Sequence, residues 1–502
     1  MVPNPFTQNA KKIAEKMDTA IDSGIVNNIK QTILESEKLS ETENDRISKS
    51  YIYYCISNGY ASLHSLSEQP ENDYIIKQLY YIRKCVDIIG RYNIEKIRND
   101  PYLTSYYCQV FTNYGNIYEH CYRPISAIKQ YKRAIGICSS FGMALGNLGI
   151  VYQYYSDLLY DDAHKYYLNY FARQYLFKGA NSRDTNVFPQ AREGFIKYLN
   201  SYDEEKINKF DKEQHFRKFN YNDSQELNYR NWVIKKGLFL NPLNDLPLRN
   251  LCIAADVFGL PNMRVTEKYP IYHSLFNQIK QEYIYARYLY YSTLTENNNP
   301  HYADKDVSLY NLSDYPQYSI RIEKLKTVFR VLYSIFDKVA FFLNRYFNLG
   351  INDDKVNFSK IWKNKKQGKN DKLLSPDDNS SVSSLYWIYQ DFKNISGNEQ
   401  NVFSPNPHLE KIKKIRHALE HRSIKIIWDW AFISEDRKDG ISEYVTESQF
   451  CKYAMELLHT MRETIMCLSM CVKTEEDIRN SKDKSKITIP IVIDNYEDEW
   501  KI

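Results

Sequence analysis

From Leu325 to Tyr346 apolar side chains recur at three- and four-residue steps: Leu325, Val328, Phe329, Leu332, Ile335, Phe336, Val339, Phe342, Leu343 and Tyr346. That spacing follows the turn of an α-helix and leaves one broad apolar face along the whole run. Such a helix must be buried on that face, so it needs partners. Residues 271–294 carry the same spacing, and two further helices are predicted at about 382–396 and 408–429. The last long helix opens on Thr446 and Gln449 in capping-box spacing and lines up Phe450, Ala454, Leu457, Leu458, Met461, Ile465 and Leu468. Five helices broken by one polar loop, residues 363–380, make a bundle. With only 16 Gly and 16 Pro in 502 residues, the chain has little turn chemistry for a many-stranded sheet and reads as all-α.

A chain of this length exceeds what one core supports, so more than one domain is expected. Residues 111–135 place Tyr114, Gly115, Tyr118, Ala127, Tyr131 and Ala134 at the spacing of a tetratricopeptide (TPR) helical hairpin. Leu148, Gly149 and Tyr152 repeat the first half, and Gly115 to Gly149 spans the 34-residue period of that repeat. Ala163 and Tyr167 come two residues late, which predicts a lengthened turn in the second unit. Residues 51–86 offer a looser third unit through Ser57, Tyr60, Leu79 and Ile82. The resulting division is a TPR-like region over 1–190, a polar linker and extended connection over 191–262, a helical bundle over 263–475 and a charged tail over 476–502. Within the connection, GLFLNPLNDLPLRN reads as an extended, buried segment. The tail holds one β-prone run, ITIPIVI.

A net charge of +5 is too small for a generally basic coat, so any nucleic-acid contact has to come from a local patch. Nine cysteines scattered without CxxC pairs predict reduced thiols in a cytoplasmic setting and no structural zinc. The N-terminus lacks the apolar stretch of a secretion signal, and no apolar run is long enough to span a membrane, so no membrane association is expected.

The local patch is KIKKIRHALEHRSIK, residues 411–425, with six Lys or Arg and two His around one helix. Ile412, Ile415 and Leu419 anchor one face, while Lys413, Arg416, His417 and His421 point elsewhere. The bland account is a solvated basic face. The resemblance of Arg416 and His421 to the R-x4-H pair of HEPN-superfamily ribonucleases gives the pattern a sharper meaning, and it implies RNA cleavage. The ribose supplies its own nucleophile, the 2′-hydroxyl, so a base, an acid for the 5′-oxygen and positive charge on the phosphorane suffice. Imidazoles exchange protons near neutral pH, which suits His421 to proton transfer. Arg416 offers a planar, permanently charged fork for phosphate oxygens, with Lys413, Lys414 and Arg422 as further substrate contacts. Five residues of helix rotate by ~140° and advance ~7.5 Å, so Arg416 and His421 are not stacked, although a long arginine can converge on the same phosphate.

Arg416 and His421, with four residues between them and polar His417 directly after the arginine, resemble the R-x4-H signature of the HEPN superfamily. The segments GLFLNPLNDL, FNQIKQEYIYARYLYY and YSIFDKVAFFLNRYFNLG extend the likeness to the LA2681-like HEPN group over roughly residues 230–475. That resemblance implies a TPR-like N-terminal half before a catalytic HEPN bundle that cleaves RNA without metal or other cofactor. It further implies a homodimer that brings two motifs to one cleft, and a role as toxin or effector in bacterial antiphage defence, with the repeats sensing an unidentified trigger. His417 would carry a second proton, hold phosphate or orient His421, and Glu420 would form a surface salt bridge or reach an arginine across the dimer.

Two other readings share these residues. His417, Glu420 and His421 also spell H-x-x-E-H, a zinc metalloprotease motif that needs a distant third ligand, for which Glu497 is at a plausible separation. Alternatively, the repeats and bundle form a non-catalytic scaffold that binds a partner.

Overall fold

The computed structural model describes residues 3–67, 72–184, 187–202, 223–264, 270–295, 299–311, 314–363, 373, 379–393, 395–396, 402–403, 406–431, 433–434, 438–482 and 496–501. Among these residues sixteen α-helices carry the fold, and the only sheets are two ladders of two short strands. The all-α expectation holds. Ten helices make up the N-terminal part: α1 (Gln8–Asp22), α2 (Val26–Thr42), α3 (Arg46–Leu66), α4 (Asn72–Ile89), α5 (Ile94–Arg98), α6 (Pro101–His120), α7 (Pro124–Ile137), α8 (Gly142–Asp157), α9 (Asp162–Ala180) and α10 (Pro189–Leu199).

Helices α6 and α7 pack together, as do α8 and α9, at the two places where the repeat spacing predicts hairpins. In the first, a Cβ on Gly115 would sit 2.4 Å from the Tyr131 ring, so only glycine lets the helices approach this closely. Tyr131 is locked there because its hydroxyl donates to Glu119 Oε2 at 2.6 Å. In the second, Gly149 meets Leu176 and the backbone of Ala172 in the same way. Residues 121–123 join the first pair and 158–161 the second, so the second turn is longer, as its spacing indicates. Helices α3 and α4 form the third hairpin, where the Ser57 hydroxyl donates to the Gln78 carbonyl at 3.1 Å.

The stretch 191–262 is not a polar linker along its length. Residues 203–222 of it lie outside the described residues, but α11 (Ser224–Lys236) is helical and closes on Gly237 at a left-handed φ of 67°. Leu238, Phe239, Leu240, Leu246, Ile253 and Phe258 are then buried, which fits the expected buried connection. Its Asp245 receives both Nη atoms of Arg462 at 2.8 and 2.9 Å, and Asp256 receives those of Arg287 at 2.8 and 2.7 Å.

The bundle consists of α12 (Ile271–Thr295), α13 (Ile320–Tyr346), α14 (Ser380–Phe392), α15 (Pro407–His421) and α16 (Glu447–Lys482). Every apolar residue assigned to the α13 face is buried, as is every one assigned to α16. Thr446 caps α16 by accepting from the Gln449 amide at 3.4 Å. Buried apolar residues from Phe6 to Val472 form one continuous cluster, so the N-terminal part and the bundle share a core.

Several boundaries differ from the sequence reading. Helix α14 ends at Phe392, and β1 (Ile395–Ser396) then pairs antiparallel with β2 (Val402–Phe403). Helix α15 stops at His421 instead of continuing to 429. Arg422 leaves helical geometry at φ −140° and ψ −147°, and β3 (Ser423–Ile427) pairs in parallel with β4 (Ser442–Thr446). The physical reason is the β-branched run of Ile424, Ile426 and Ile427, which favours a pleated, half-buried segment. Helix α16 runs past the expected end of the bundle, because Glu476 is held inside: its carboxylate accepts from Tyr346 Oη at 2.6 Å and from the Arg264 amide at 2.9 Å. The polar loop 363–380 lies almost wholly outside the described residues, and ITIPIVI lies entirely outside them.

Candidate functional site

Helix α15 begins with Pro407 in its first turn and Asn406 as its cap, the Asn406 carboxamide oxygen accepting from the His408 and Leu409 amides at 3.1 and 3.3 Å. Leu409, Ile412, Ile415, Ala418 and Leu419 recur at helical spacing and are buried. The opposite side therefore faces solvent. It carries Lys413, Lys414, His417, Glu420 and His421, and Arg422 is exposed just beyond the helix end.

The structure brings His417 and His421 together, with ring centroids 5.3 Å apart and planes at 69°. One helical turn separates them, so the two imidazoles share one patch of surface. Arg416 lies on a neighbouring side of the helix, half-buried, with its guanidinium carbon 5.0 Å from the ring centroid of Tyr333 on α13. Burial pushes the Tyr333 phenol up, against the opposing pull of the Arg416 cation. Lys414 is engaged with Glu410 at 2.9 Å. Lys413 and Arg422 are exposed, and their side chains form no ion pair among the described residues.

Glu420 faces Arg330 of α13 at 3.5 Å, with both side chains partly exposed, so the surface salt bridge is its role within this chain. Arg330 also donates to the Leu419 carbonyl at 3.1 Å. It is a cation beside the motif that the sequence reading missed, because it lies about 90 residues earlier and carries no local signature. Beyond β3, Trp428 and Trp430 are exposed, and Trp430 meets Tyr315 at 5.1 Å. The strand itself is pinned by Lys425, which pairs with Asp314 and with Asp439.

The H-x-x-E-H reading loses its third ligand. Among the described residues, which include Glu497, no three His, Cys, Asp or Glu side chains gather as a metal site requires. What the arrangement offers is two adjacent solvent-facing imidazoles able to pass protons, with permanent positive charge on either side.

The third histidine of α15 sits quite differently. His408 Nδ1 lies 2.9 Å from Glu456 of α16, and Nε2 lies 3.1 Å from Asp87 of α4. Hydrogen bonds to Asp87 and then Glu456 raise its pKa to about 9, which outweighs the burial that opposes them. It is a clamp between the N-terminal part and the bundle, placed just before the basic segment that the sequence singles out.

Residues 263–475 match the family model described as LA2681-like HEPN. No curated protein matches the chain, and no solved structure does. No helix among the described residues is long and apolar enough to cross a membrane.

Proposed function

Because residues 263–475 belong to the LA2681-like HEPN family, we propose that the protein is a metal-independent endoribonuclease whose chemistry is carried by Arg416 and His421, with His417 assisting. The observation that carries this reading is the pair of exposed imidazoles 5.3 Å apart at the end of a basic helix in that domain. One imidazole removes the proton of the ribose 2′-hydroxyl. The 2′-oxygen forms a bond to phosphorus, the bond to the 5′-oxygen breaks, and a second imidazole returns a proton to that oxygen. Arg416 holds the charge that builds on the phosphorane, and Lys413, Lys414 and Arg422 hold the flanking backbone.

Two copies of the domain facing one another would supply two such motifs to one phosphate, so the active form is taken to be a homodimer. The N-terminal helical hairpins act as the sensor or regulator, and cleavage of cellular RNA serves as a toxin in bacterial antiphage defence from the cytoplasm.

The test is to incubate purified full-length protein with total RNA, with and without EDTA, alongside His421→Ala. Cleavage should persist in EDTA and vanish in the variant, whose fold is spared because an exposed ring is lost. Products should carry 2′,3′-cyclic phosphate and 5′-hydroxyl ends, and a 2′-deoxyribose at the cut position should block cleavage. Efficient cutting at the deoxy position, 5′-phosphate products, or full activity in a folded His421→Ala preparation would remove these roles. Absence of cleavage under every condition would leave the domain as a binding module.

A further inference from the structure

Between the N-terminal part and the bundle lies a cavity of about 530 Å³, walled by α4, α6 and α7 on one side and by α14, the start of α15 and α16 on the other. That volume is within the ~300 to 1,000 Å³ range of small-molecule sites. Seven Lys or Arg side chains line it against four carboxylates.

All four carboxylates are already committed. Asp391 pairs with Arg83 at 2.7 Å and Arg123 at 2.6 Å, Glu463 pairs with Arg123 at 2.6 Å, and Asp87 and Glu456 hold His408. Of the remaining cations, Arg462 is matched by Asp245 from outside the lining. The side chains of Arg91, Lys129 and Lys452 form no hydrogen bond or ion pair among the described residues. Arg133 only donates to Gln130 at 3.0 Å and rests on the Phe111 ring. Four cations thus face one cavity without a direct ion pair, with Asp87 acting at longer range on Lys452 and Arg91, and Glu456 and Glu463 on Lys129, so positive charge is in excess. Desolvation by the protein packed around it, together with repulsion from Arg133, lowers the Lys129 ammonium against the pull of Glu456 and Glu463. Burial and the surrounding cations Lys129, Arg462 and Lys236 push the His459 ring well below its ordinary range.

Arg91, Lys129 and Lys452 reach solvent and Arg133 is half-buried, so a dissolved anion has access to all four, and cations grouped around one cavity raise the local concentration of an anion that matches them. Three or four negative charges in so small a volume is the charge density of linked phosphate groups. We propose that this cavity binds a small oligophosphate, inorganic or carried by a nucleoside, held by Lys129, Lys452, Arg91 and Arg133 across the seam between the two parts of the chain. This site is separate from His417 and His421, and the inference does not depend on RNA cleavage.

Isothermal titration of the full-length protein with inorganic pyrophosphate and, separately, with ATP tests it. At least one should bind more tightly than about 1 mM, and Lys129→Glu/Lys452→Glu should weaken that binding by about tenfold or more, while His421→Ala leaves it unchanged. If circular dichroism finds the charge-reversed variant misfolded, Lys129→Met/Lys452→Met takes its place with the same expectation. ATP binding far more tightly than pyrophosphate assigns a nucleoside-bearing ligand, and equal binding assigns the phosphates alone. Failure of both probes to bind, equal binding by the folded variant, or binding of a short single-stranded RNA at these lysines without either small probe would overturn the proposal.

Discussion

Replacing Arg123 by Met removes the side chain that bridges Asp391 of α14 and Glu463 of α16 to the N-terminal part. Tyr122, held at a left-handed φ of 57° in the tight turn between α6 and α7, precedes it. The arginine is 5% exposed and its acidic partners 2% and 4%, so none of the three can turn to water. Without it Glu463 keeps only the Ser126 hydroxyl and amide as donors, both neutral, and Asp391 keeps Arg83. An exposed pair would be worth at most about 1 kcal/mol, whereas breaking a buried one and stranding its partner costs about 3–5 kcal/mol. The larger figure applies here.

Urea unfolding measures the effect, followed by tryptophan fluorescence and far-UV circular dichroism. All six tryptophans lie at residue 232 or beyond, so fluorescence reports the C-terminal part while dichroism reports every helix. The variant should unfold at clearly lower urea by both probes. Adding Glu463→Gln should restore part of the loss, because it removes the stranded charge. A midpoint equal to wild type, or a double variant no better than the sum of the two single changes, would refute the bridging role.

The remaining predictions concern the same framework. His408, with its pKa raised to about 9 from 6.5, contributes stability that is full below about pH 6.5 and fades as pH rises through about 9; urea midpoints across that range should show this slope in wild type and lose it in His408→Gln. Gly115→Ala forces a methyl onto the buried Tyr131 ring and should cost about 1–3 kcal/mol, read from the thermal midpoint beside an exposed-site control such as Gly136→Ala. A fragment beginning at residue 263 strips Asp391, Glu463 and Arg462 of Arg83, Arg123 and Asp245, so it should aggregate or lose cooperative unfolding; a monodisperse, cooperatively folding fragment would contradict the shared core.

Helices were legible wherever one apolar face ran for several turns, as on α13, because burial and periodicity carry the same information there. Gly115 and Gly149 were legible as close-approach positions because the facing Tyr131 and the repeat length are both written locally. Strand β3 was missed for the opposite reason. Ile424, Ile426 and Ile427 also fit a helical pattern, and only pairing with β4, some 19 residues later, decides between the two. Arg416, His417 and His421 lie within one short segment and could be singled out together, but the resting of Arg416 on Tyr333 depends on how α13 crosses α15. His408 stands one turn before the basic segment and looks unremarkable until α4 brings Asp87 to it. The cavity was illegible altogether, because Lys129 and Lys452 come from helices more than 300 residues apart and neither stretch has a motif of its own.

The histidines of α15 divide along its length into one that is held and two that are open. His408 is fixed between Asp87 and Glu456, whereas among the described residues His417 and His421 make a ring contact with each other and otherwise face solvent. From His408 to His421 the helix rises ~20 Å as one continuous rod, since a sharp kink needs a proline, a Gly/Ser pair or an inserted group and the sequence between them has no Pro, Gly or Ser. Its inner face is fixed by the bundle, but its first turn is fixed in part by α4, which belongs to the N-terminal hairpins. Any rearrangement that moves α4 against α16 must therefore either break the pairs of His408 or carry the start of α15 with it. The N-terminal part consequently has a mechanical hold on the motif-bearing helix without touching the imidazoles, and the same clamp borders the cavity lined by Arg91, Lys129, Arg133 and Lys452. A displacement at that seam would reach the motif without a separate linker, because the helix that presents the motif is itself the connection.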